Sequence, residues 1–409
     1  MERAEQGYNE SSHPRQTPGA PVNLPALDAE QAAQLEQTRA CIVDAIEAAG
    51  GAIPFDRYME LALYAPGAGY YVNGTHKFGA AGDFVTAPEL SLLFGAALAH
   101  QVAEGLAQTG GQVLEFGAGS GALAADVLQR LAELDRLPAQ YQILELSAEL
   151  KARQTETLRR RIPALIERVV WLEQLPDPGW RGVILANEVL DAMPVSRFRK
   201  GSAGWEEQQV AWDGQAFRPL WTEPRTPRLV SSLEAIERRV GVLPPGYQSE
   251  VNLRLRPWLG AMAALLEQGL LLLIDYGYSE REYYHFERDQ GTLICHFRHR
   301  AHDDPFVLPG LQDITASVDF SAVAEAGVEN GLELAGYTTQ AQFLLGCGLD
   351  GLLKSLQDEP EGERIDRLQA AKQLVLPSAM GERFKVMGFQ RGVESPLRGF
   401  SLRDLRASL

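Results

Sequence analysis

The chain has 409 residues, of which 45% are hydrophobic and 22% charged, as in a globular protein with two domains or long insertions. Lys and Arg total 38 against 54 Asp and Glu, and the net charge of −16 repels phosphate, which argues against nucleic-acid binding. Three widely spaced cysteines, no secretory signal and no apolar run of about 20 residues exclude a disulfide framework and a membrane partner, and predict a cytoplasmic protein.

Helices and strands alternate through the middle of the chain. Apolar residues at helical spacing predict helices at 28–50, 90–107, 122–134, 148–161 and 321–330, and residues 55–64 form a further apolar segment. Short apolar runs predict strands at 112–116, 141–146, 169–172, 182–186, 270–274, 337–343 and 384–390, and residues 197–221 predict an antiparallel meander. Strands alternating with helices at this spacing predict an α/β fold with a doubly wound, Rossmann-like parallel sheet, whose strands are buried on both faces.

The chain divides by these patterns into five segments. They are a disordered tail at 1–28, an N-terminal helical and loop region at 29–110, the first part of the core at 111–195, an inserted antiparallel β/α accessory region at 196–265, and the second part of the core at 266–409 with its own insertion at 276–320. The tail is predicted from its Pro, Gly and polar composition, and the inserted region from its alternating polar and apolar residues.

A glycine-rich turn follows the first predicted core strand. Glu115 near the strand end is followed by Gly117, Gly119 and Gly121, and glycines at a strand-to-helix turn let the backbone pass close to a ligand. The spacing G-x-G-x-G differs from the G-x-G-x-x-G of dinucleotide sites, which need room for a pyrophosphate. The turn therefore favours S-adenosylmethionine, which has no phosphate; a tight turn without a ligand is the alternative interpretation.

An acidic residue lies near the end of the second predicted strand. Glu145 can accept hydrogen bonds from both ribose hydroxyls of a nucleoside at this position of a doubly wound sheet. A solvated surface glutamate is the alternative. With the glycine turn, Glu145 predicts a nucleoside-binding crevice at the strand ends.

The fourth predicted strand ends in two carboxylates and an amide. Asn187, Glu188 and Asp191 lie where doubly wound enzymes present reacting groups. Carboxylates bind a guanidinium through paired hydrogen bonds, so these residues predict the catalytic end of the site and a cationic or amino-bearing acceptor. Capping of the following helix by Asp191 is the alternative role.

Six stretches of the chain resemble the MidA family of methyltransferases. They are 82–89, 115–121, 187–194, 274–278, 299–300 and 313–320. The resemblance runs from about residue 55 to 391. It implies a class I methyltransferase fold with S-adenosylmethionine as the donor, and it implies that Gly82, Asp83 and Thr86, within the 29–110 region, cover this cofactor.

The same resemblance implies a protein substrate. The mitochondrial member of the family methylates an arginine of a respiratory complex I subunit, so protein arginine methylation is the expected activity. The resemblance also suggests a homodimer. The alternatives are methylation of a small molecule, and a non-catalytic assembly module that binds a partner through residues 195–265 and 276–320.

Several histidines cluster in the second insertion. They are His285, His296, His299 and His302, beside Cys295, Asp303 and Asp304. Neighbouring residues of a strand point to opposite faces and no paired-cysteine motif is present, so we predict no metal site. A loop that uses His299, Arg300 and Asp303 to close over the site is the preferred interpretation.

Overall fold

The computed structural model describes residues 24–73, 86–394 and 396–409. Most of the predicted tail, and Gly82 and Asp83, lie outside these residues. The helices are α1 (Ala29–Ala48), α2 (Phe55–Tyr64), α3 (Ala87–Leu90), α4 (Leu92–Thr109), α5 (Ala122–Glu133), α6 (Ala148–Arg161), α7 (Leu229–Val240), α8 (Leu255–Leu265), α9 (Glu280–Tyr283), α10 (Phe320–Glu329), α11 (Gln340–Gly346), α12 (Leu349–Ser355) and α13 (Glu361–Val375). No helix in the described ranges is both long and apolar enough to cross a membrane.

The strands form three sheets. They are β1 (Ala52–Pro54), β2 (Gln112–Phe116), β3 (Tyr141–Leu144), β4 (Val169–Leu172), β5 (Trp180–Asn187), β6 (Ser196–Lys200), β7 (Trp205–Trp212), β8 (Phe217–Thr222), β9 (Gln248–Val251), β10 (Leu266–Tyr278), β11 (Ile294–Phe297), β12 (Arg300–His302), β13 (Asp313–Thr315), β14 (Val318–Asp319), β15 (Glu333–Thr339) and β16 (Phe384–Arg391).

The central sheet has the order β15-β16-β10-β5-β2-β3-β4, with β14 added beside β10. Strands β10, β5, β2, β3 and β4 are parallel, whereas β15 and β16 are antiparallel to their neighbours. The doubly wound α/β fold predicted from the strand and helix spacing is confirmed. The strands that follow β2 in the chain lie on both sides of it, with β3 and β4 on one side and β5 and β10 on the other. This change of side opens a crevice at the carboxyl ends of the strands.

Side chains of the central strands alternate between two apolar layers. In β10, Leu270 and Leu272 pack with the layer that contains α4, α5 and α11–α13, whereas Leu271 and Leu273 pack with the layer that contains α8 and α10. Because successive residues of a strand point to opposite faces, a continuous apolar run is needed to fill both layers. Helix α8, which the sequence places in the accessory region, is thus part of the core.

A second layer of structure covers one end of the central sheet. Strands β1, β6, β7, β8 and β9 form an antiparallel sheet, and β11, β12 and β13 form a small third one. This confirms the antiparallel meander predicted over 197–221. Helix α2 packs against both sheets in one apolar cluster that includes Phe55, Tyr58, Val210, Cys295 and Ile314. The two insertions and the N-terminal helices therefore meet over the carboxyl ends of the core strands.

One predicted strand is wrong in part. The run 337–343 was expected to be a strand, but β15 ends at Thr339 and α11 begins at Gln340. The Thr339 side chain accepts a hydrogen bond from the Gln342 N–H at 3.4 Å, which caps the new helix. Helices α12 and α13 were not predicted.

Candidate active site

A cavity of about 980 Å³ lies at the carboxyl ends of the parallel strands. Most of the site residues predicted from the sequence line it together, namely Thr86, Glu115, Gly117, Gly119, Glu145, Asn187, Glu188 and Asp191. Gly121 does not line it, and Gly82 and Asp83 lie outside the described residues. The volume is at the upper end of the range for small-molecule sites, which run to about 1,000 Å³.

The turn needs glycine because of its backbone conformation and, at Gly117 and Gly121, because of the close approach of neighbouring atoms. Gly117, Gly119 and Gly121 have φ angles of 64°, 53° and 85°, in the left-handed region that other residues rarely adopt. A Cβ on Gly117 would come within 2.9 Å of Val189 Cγ2, and one on Gly121 within 3.2 Å of the Gln154 Cα. Gly117 and Gly119 thus form the cavity wall, whereas Gly121 allows α5 to pack closely against α6.

Gln154 links the glycine turn to the acidic residue after β3. Its Nε2 donates to the Gly119 carbonyl at 3.1 Å and to Glu145 Oε2 at 3.0 Å, and its Oε1 accepts from Trp171 Nε1 at 2.8 Å. Glu145 also accepts from the Ser147 N–H at 2.8 Å. Sequence reasoning missed Gln154 because a polar residue on a helix gives no signal until the helix is packed.

Glu115 faces the cavity from beneath the glycine turn. It is 2% exposed and accepts a hydrogen bond from the Tyr141 hydroxyl at 2.8 Å. Burial raises the pKa of Glu115 to about 7, against the opposing effect of the Tyr141 hydrogen bond.

Glu188 has a left-handed backbone, with φ of 54°, directly after the end of β5. Its N–H donates to the Ile274 carbonyl at 2.9 Å, and Asn187 Nδ2 donates to its carboxylate at 3.2 Å. The Ala87 N–H also donates to this carboxylate. Burial and the neighbouring charge of Asp191 raise the pKa of Glu188 to about 8, despite these hydrogen bonds.

Asp191 lies three residues farther along the same turn. Burial raises its pKa to about 6, and the hydrogen bond from the Tyr276 side chain opposes the rise. Its Oδ1 is buried without a hydrogen-bond partner among the described residues. A buried carboxylate oxygen beside a cavity is satisfied by ordered water or by a ligand that donates hydrogen bonds.

Two tyrosines and a third carboxylate complete this end of the cavity. The rings of Tyr64 and Tyr71 stack with centroids 5.4 Å apart and 23° between planes. The Tyr71 hydroxyl donates to Asp313 Oδ1 at 2.9 Å, and Tyr64 donates to the Ala192 carbonyl at 3.0 Å. The sequence did not single out the tyrosines, because α2 and β13 are far apart in the chain. Only the two accessory sheets bring these elements to the end of β5.

The histidine-rich insertion contributes His296 and His299 to the cavity wall. Arg300 and Asp303, which were expected to close over the site with His299, are not among the residues that line it. Within the described ranges, no three His, Cys, Asp or Glu side chains lie close enough to hold a metal ion.

A doubly wound sheet with a glycine turn after its central strand and an acidic residue after the next defines the class of Rossmann-like enzymes that bind a nucleoside cofactor. Residues 97–338 match the family model of S-adenosyl-L-methionine-dependent methyltransferases. The chain belongs to this family and is a methyltransferase that depends on S-adenosylmethionine.

The relatives and a solved structure agree with this assignment. The Drosophila melanogaster protein arginine methyltransferase NDUFAF7 homolog, mitochondrial, is 30% identical, and the match covers 86% of each chain. The Danio rerio protein arginine methyltransferase NDUFAF7, mitochondrial, is 28% identical over 88% of this chain and 91% of its own. A Burkholderia thailandensis protein crystallised with bound S-adenosyl-homocysteine is 44% identical with a TM-score of 0.90, covering 94% of this chain and 100% of that one.

The cytoplasmic location expected from the sequence is contradicted by these relatives. The names of the fly, zebrafish and human proteins all include the word mitochondrial. The expectation rested on few cysteines, no secretory signal and no long apolar run, and none of these properties distinguishes one reducing compartment from another.

Proposed function

We propose that this enzyme transfers the methyl group of S-adenosylmethionine to a guanidinium nitrogen of an arginine in a protein. The observation that carries the proposal is the acidic, aromatic end of the cavity, where Glu188, Asp191 and Asp313 lie beside the stacked Tyr64 and Tyr71. The names of the relatives, which are protein arginine methyltransferases, support it.

The cavity divides into a cofactor end and an acceptor end. Gly117, Gly119 and Glu145 would hold the cofactor, because the first two give a close backbone wall and the third can accept hydrogen bonds from ribose hydroxyls. Thr86 and Glu115 also line the cavity, and we assign them to this end. When bound, the cofactor supplies a methyl group on a positively charged sulfur, and the volume of about 980 Å³ leaves space for an acceptor side chain beside it.

The acceptor end suits a guanidinium for a reason of charge and shape. A guanidinium stays protonated and presents its N–H groups in one plane, so two carboxylates can bind it from two sides. Glu188 and Asp191 are held on one turn, and Asn187 donates to Glu188 and so orients its carboxylate. Tyr64 and Tyr71 also line the cavity, and an aromatic ring beside the acceptor attracts a cation.

The carboxylates also provide for the proton that leaves during transfer. Forming the new C–N bond and breaking the methyl–sulfur bond leaves the methylated nitrogen with one proton to lose. Once ionised, Glu188 can receive that proton and pass it to water, because its raised pKa of about 8 makes it a stronger base than an ordinary carboxylate. Positioning of the nitrogen in line with the methyl group then sets the rate.

The activity can be tested without knowing the acceptor protein. The purified enzyme would be incubated with tritium-labelled S-adenosylmethionine and an extract of cells that lack the gene. Acid hydrolysis of the precipitated protein should release labelled methylarginine. Label found only in small molecules, or only in other amino acids, would contradict arginine methylation; binding of the cofactor without transfer would favour the assembly-module alternative.

We expect methyl transfer to protein arginine to increase as the pH rises through 6 and then 8. Asp191 and Glu188 must be ionised to bind a cation, and their pKa values are raised to about 6 and about 8. Below these values each carboxyl group is protonated, so kcat/KM should fall about tenfold for each pH unit and more steeply where both titrate.

The acceptor cannot cause this dependence, because a guanidinium titrates only above about pH 12. The measurement is the initial rate of methylarginine formation in the same extract between about pH 5.5 and 9, with the cofactor saturating. In Glu188→Gln the residual activity should lose the dependence near pH 8. A flat wild-type profile would show that neither carboxylate needs its charge.

The suggested homodimer stays a prediction.

A further inference from the structure

Asp275 is a buried carboxyl group behind the acceptor end of the cavity. It lies near the end of β10, is 1% exposed and is not one of the cavity-lining residues. Its Oδ2 accepts hydrogen bonds from the Leu190 N–H at 3.0 Å and the Asp191 N–H at 3.3 Å. Its Oδ1 accepts from the Tyr276 N–H at 2.9 Å.

These hydrogen bonds stabilise a turn that the backbone alone disfavours. Glu188, with its φ of 54°, is in a conformation that non-glycine residues keep only where the surroundings hold them. Two consecutive residues of β10 stabilise this conformation. The Ile274 carbonyl accepts a hydrogen bond from the Glu188 N–H, and the Asp275 carboxyl group accepts from the N–H groups of Leu190 and Asp191. The strands pair up to Ile274 and Asn187, so the turn begins where the pairing ends.

Asp275 acts there as a hydrogen-bond acceptor for the turn. Burial raises the pKa of Asp275 well above its ordinary value, and the charges of Asp191 and Glu188 raise it further. The carboxyl oxygen that accepts the two N–H groups is present in either protonation state, so these hydrogen bonds do not require a charge.

We propose that Asp275 is a positioning residue, whose carboxyl oxygen holds the turn of residues 188–191 so that Glu188 and Asp191 both face the acceptor. The proposal rests on the proposed function, because it gives those two carboxylates the acceptor as their ligand. It assigns Asp275 no contact with either substrate. Its loss should therefore affect transfer and leave cofactor binding intact.

The test compares Asp275→Ala and Asp275→Asn with the matched variant Asp319→Ala. Asp319 is also a buried aspartate off the cavity wall that accepts two backbone N–H groups, from Ser321 at 3.0 Å and Ala322 at 3.1 Å, but these belong to the first turn of α10 and not to the turn of residues 188–191. Each variant would be assayed for S-adenosylmethionine affinity by calorimetry, for methylarginine formation in the extract, and for hydrogen exchange of the Leu190 and Asp191 amides.

We expect Asp275→Ala to lower the transfer rate about 100-fold, with cofactor Kd within about threefold and faster exchange of both amides. Asp275→Asn, which keeps a carbonyl oxygen in place, should retain activity within about threefold. Asp319→Ala should lower thermal stability without a selective loss of transfer.

Unchanged transfer in Asp275→Ala, or loss of cofactor affinity along with transfer, would overturn the proposal. A folded Asp275→Asn variant whose transfer rate falls about 100-fold would overturn it too. This variant is compared with wild type, so the test holds even where Asp275→Ala does not fold. Failure of the proposed function has a different signature, because the wild-type enzyme itself would then form no methylarginine while the amide exchange still reports on the turn.

Discussion

Replacing Glu188 with glutamine is expected to lower kcat for methylarginine formation by about 100- to 1,000-fold, because the acceptor loses a charged partner and a proton acceptor. The substitution keeps the side-chain size, and Asn187 can still hydrogen-bond to the remaining amide oxygen. Cofactor affinity should stay within about threefold, since Glu145 and the glycine turn lie on other strand ends. The measurement combines initial rates in the extract with calorimetry of S-adenosylmethionine binding.

Glu156→Gln is the matched control for this variant. Glu156 is exposed on α6, so the same chemical change there should alter neither rate nor affinity. Equal rates for Glu188→Gln and wild type would remove the acceptor role from Glu188. A variant that loses cofactor binding and transfer together would place Glu188 at the cofactor end instead.

Replacing Gly119 with valine is expected to weaken S-adenosylmethionine binding by about 100-fold or more, which is roughly 3 kcal/mol of binding free energy. Gly119 has a φ of 53°, which a β-branched residue does not adopt without strain. The new side chain would also stand at the cavity wall, where the backbone must come close to the ligand. Calorimetric titration of the purified variant measures the loss directly.

Gly110→Val separates the strain from the steric effect. Gly110 ends α4 with a similar φ of 57°, but a Cβ there meets nothing within 4 Å, and the residue is not part of the cavity wall. Both variants should lose stability, by about 1–2 kcal/mol from the left-handed backbone. Only Gly119→Val should lose cofactor binding; equal affinities for the two variants would exclude the glycine turn from the cofactor site.

Local patterns predicted the core elements well where one period dominated. Helix 148–161 and strands 112–116 and 169–172 have the same bounds in the structure, because the helix is long and the strands are short apolar runs bounded by turn residues. The run 337–343 was ambiguous, since apolar residues of a short segment suit a strand and a buried helix equally. The Thr339 cap divided it, and a cap of this kind is visible only once the helix is formed.

The sequence by itself determined the parallel core, the glycine turn and the acidic residues at three strand ends. These features depend on local spacing, and the carboxyl ends of parallel strands meet at one edge of a sheet whatever the rest of the chain does. It also determined the family, through motifs that keep their order along most of the chain.

Only the tertiary structure assembled the end of the cavity that we propose binds the acceptor. Tyr64, Tyr71 and Asp313 come from α2, the loop after it and β13, and the two accessory sheets bring them to the end of β5. The same holds for Asp275, which a sequence shows as one acidic residue near the end of an apolar strand. Its role depends on hydrogen bonds to a turn more than 80 residues away, and contacts at that separation leave no periodic signal in the sequence.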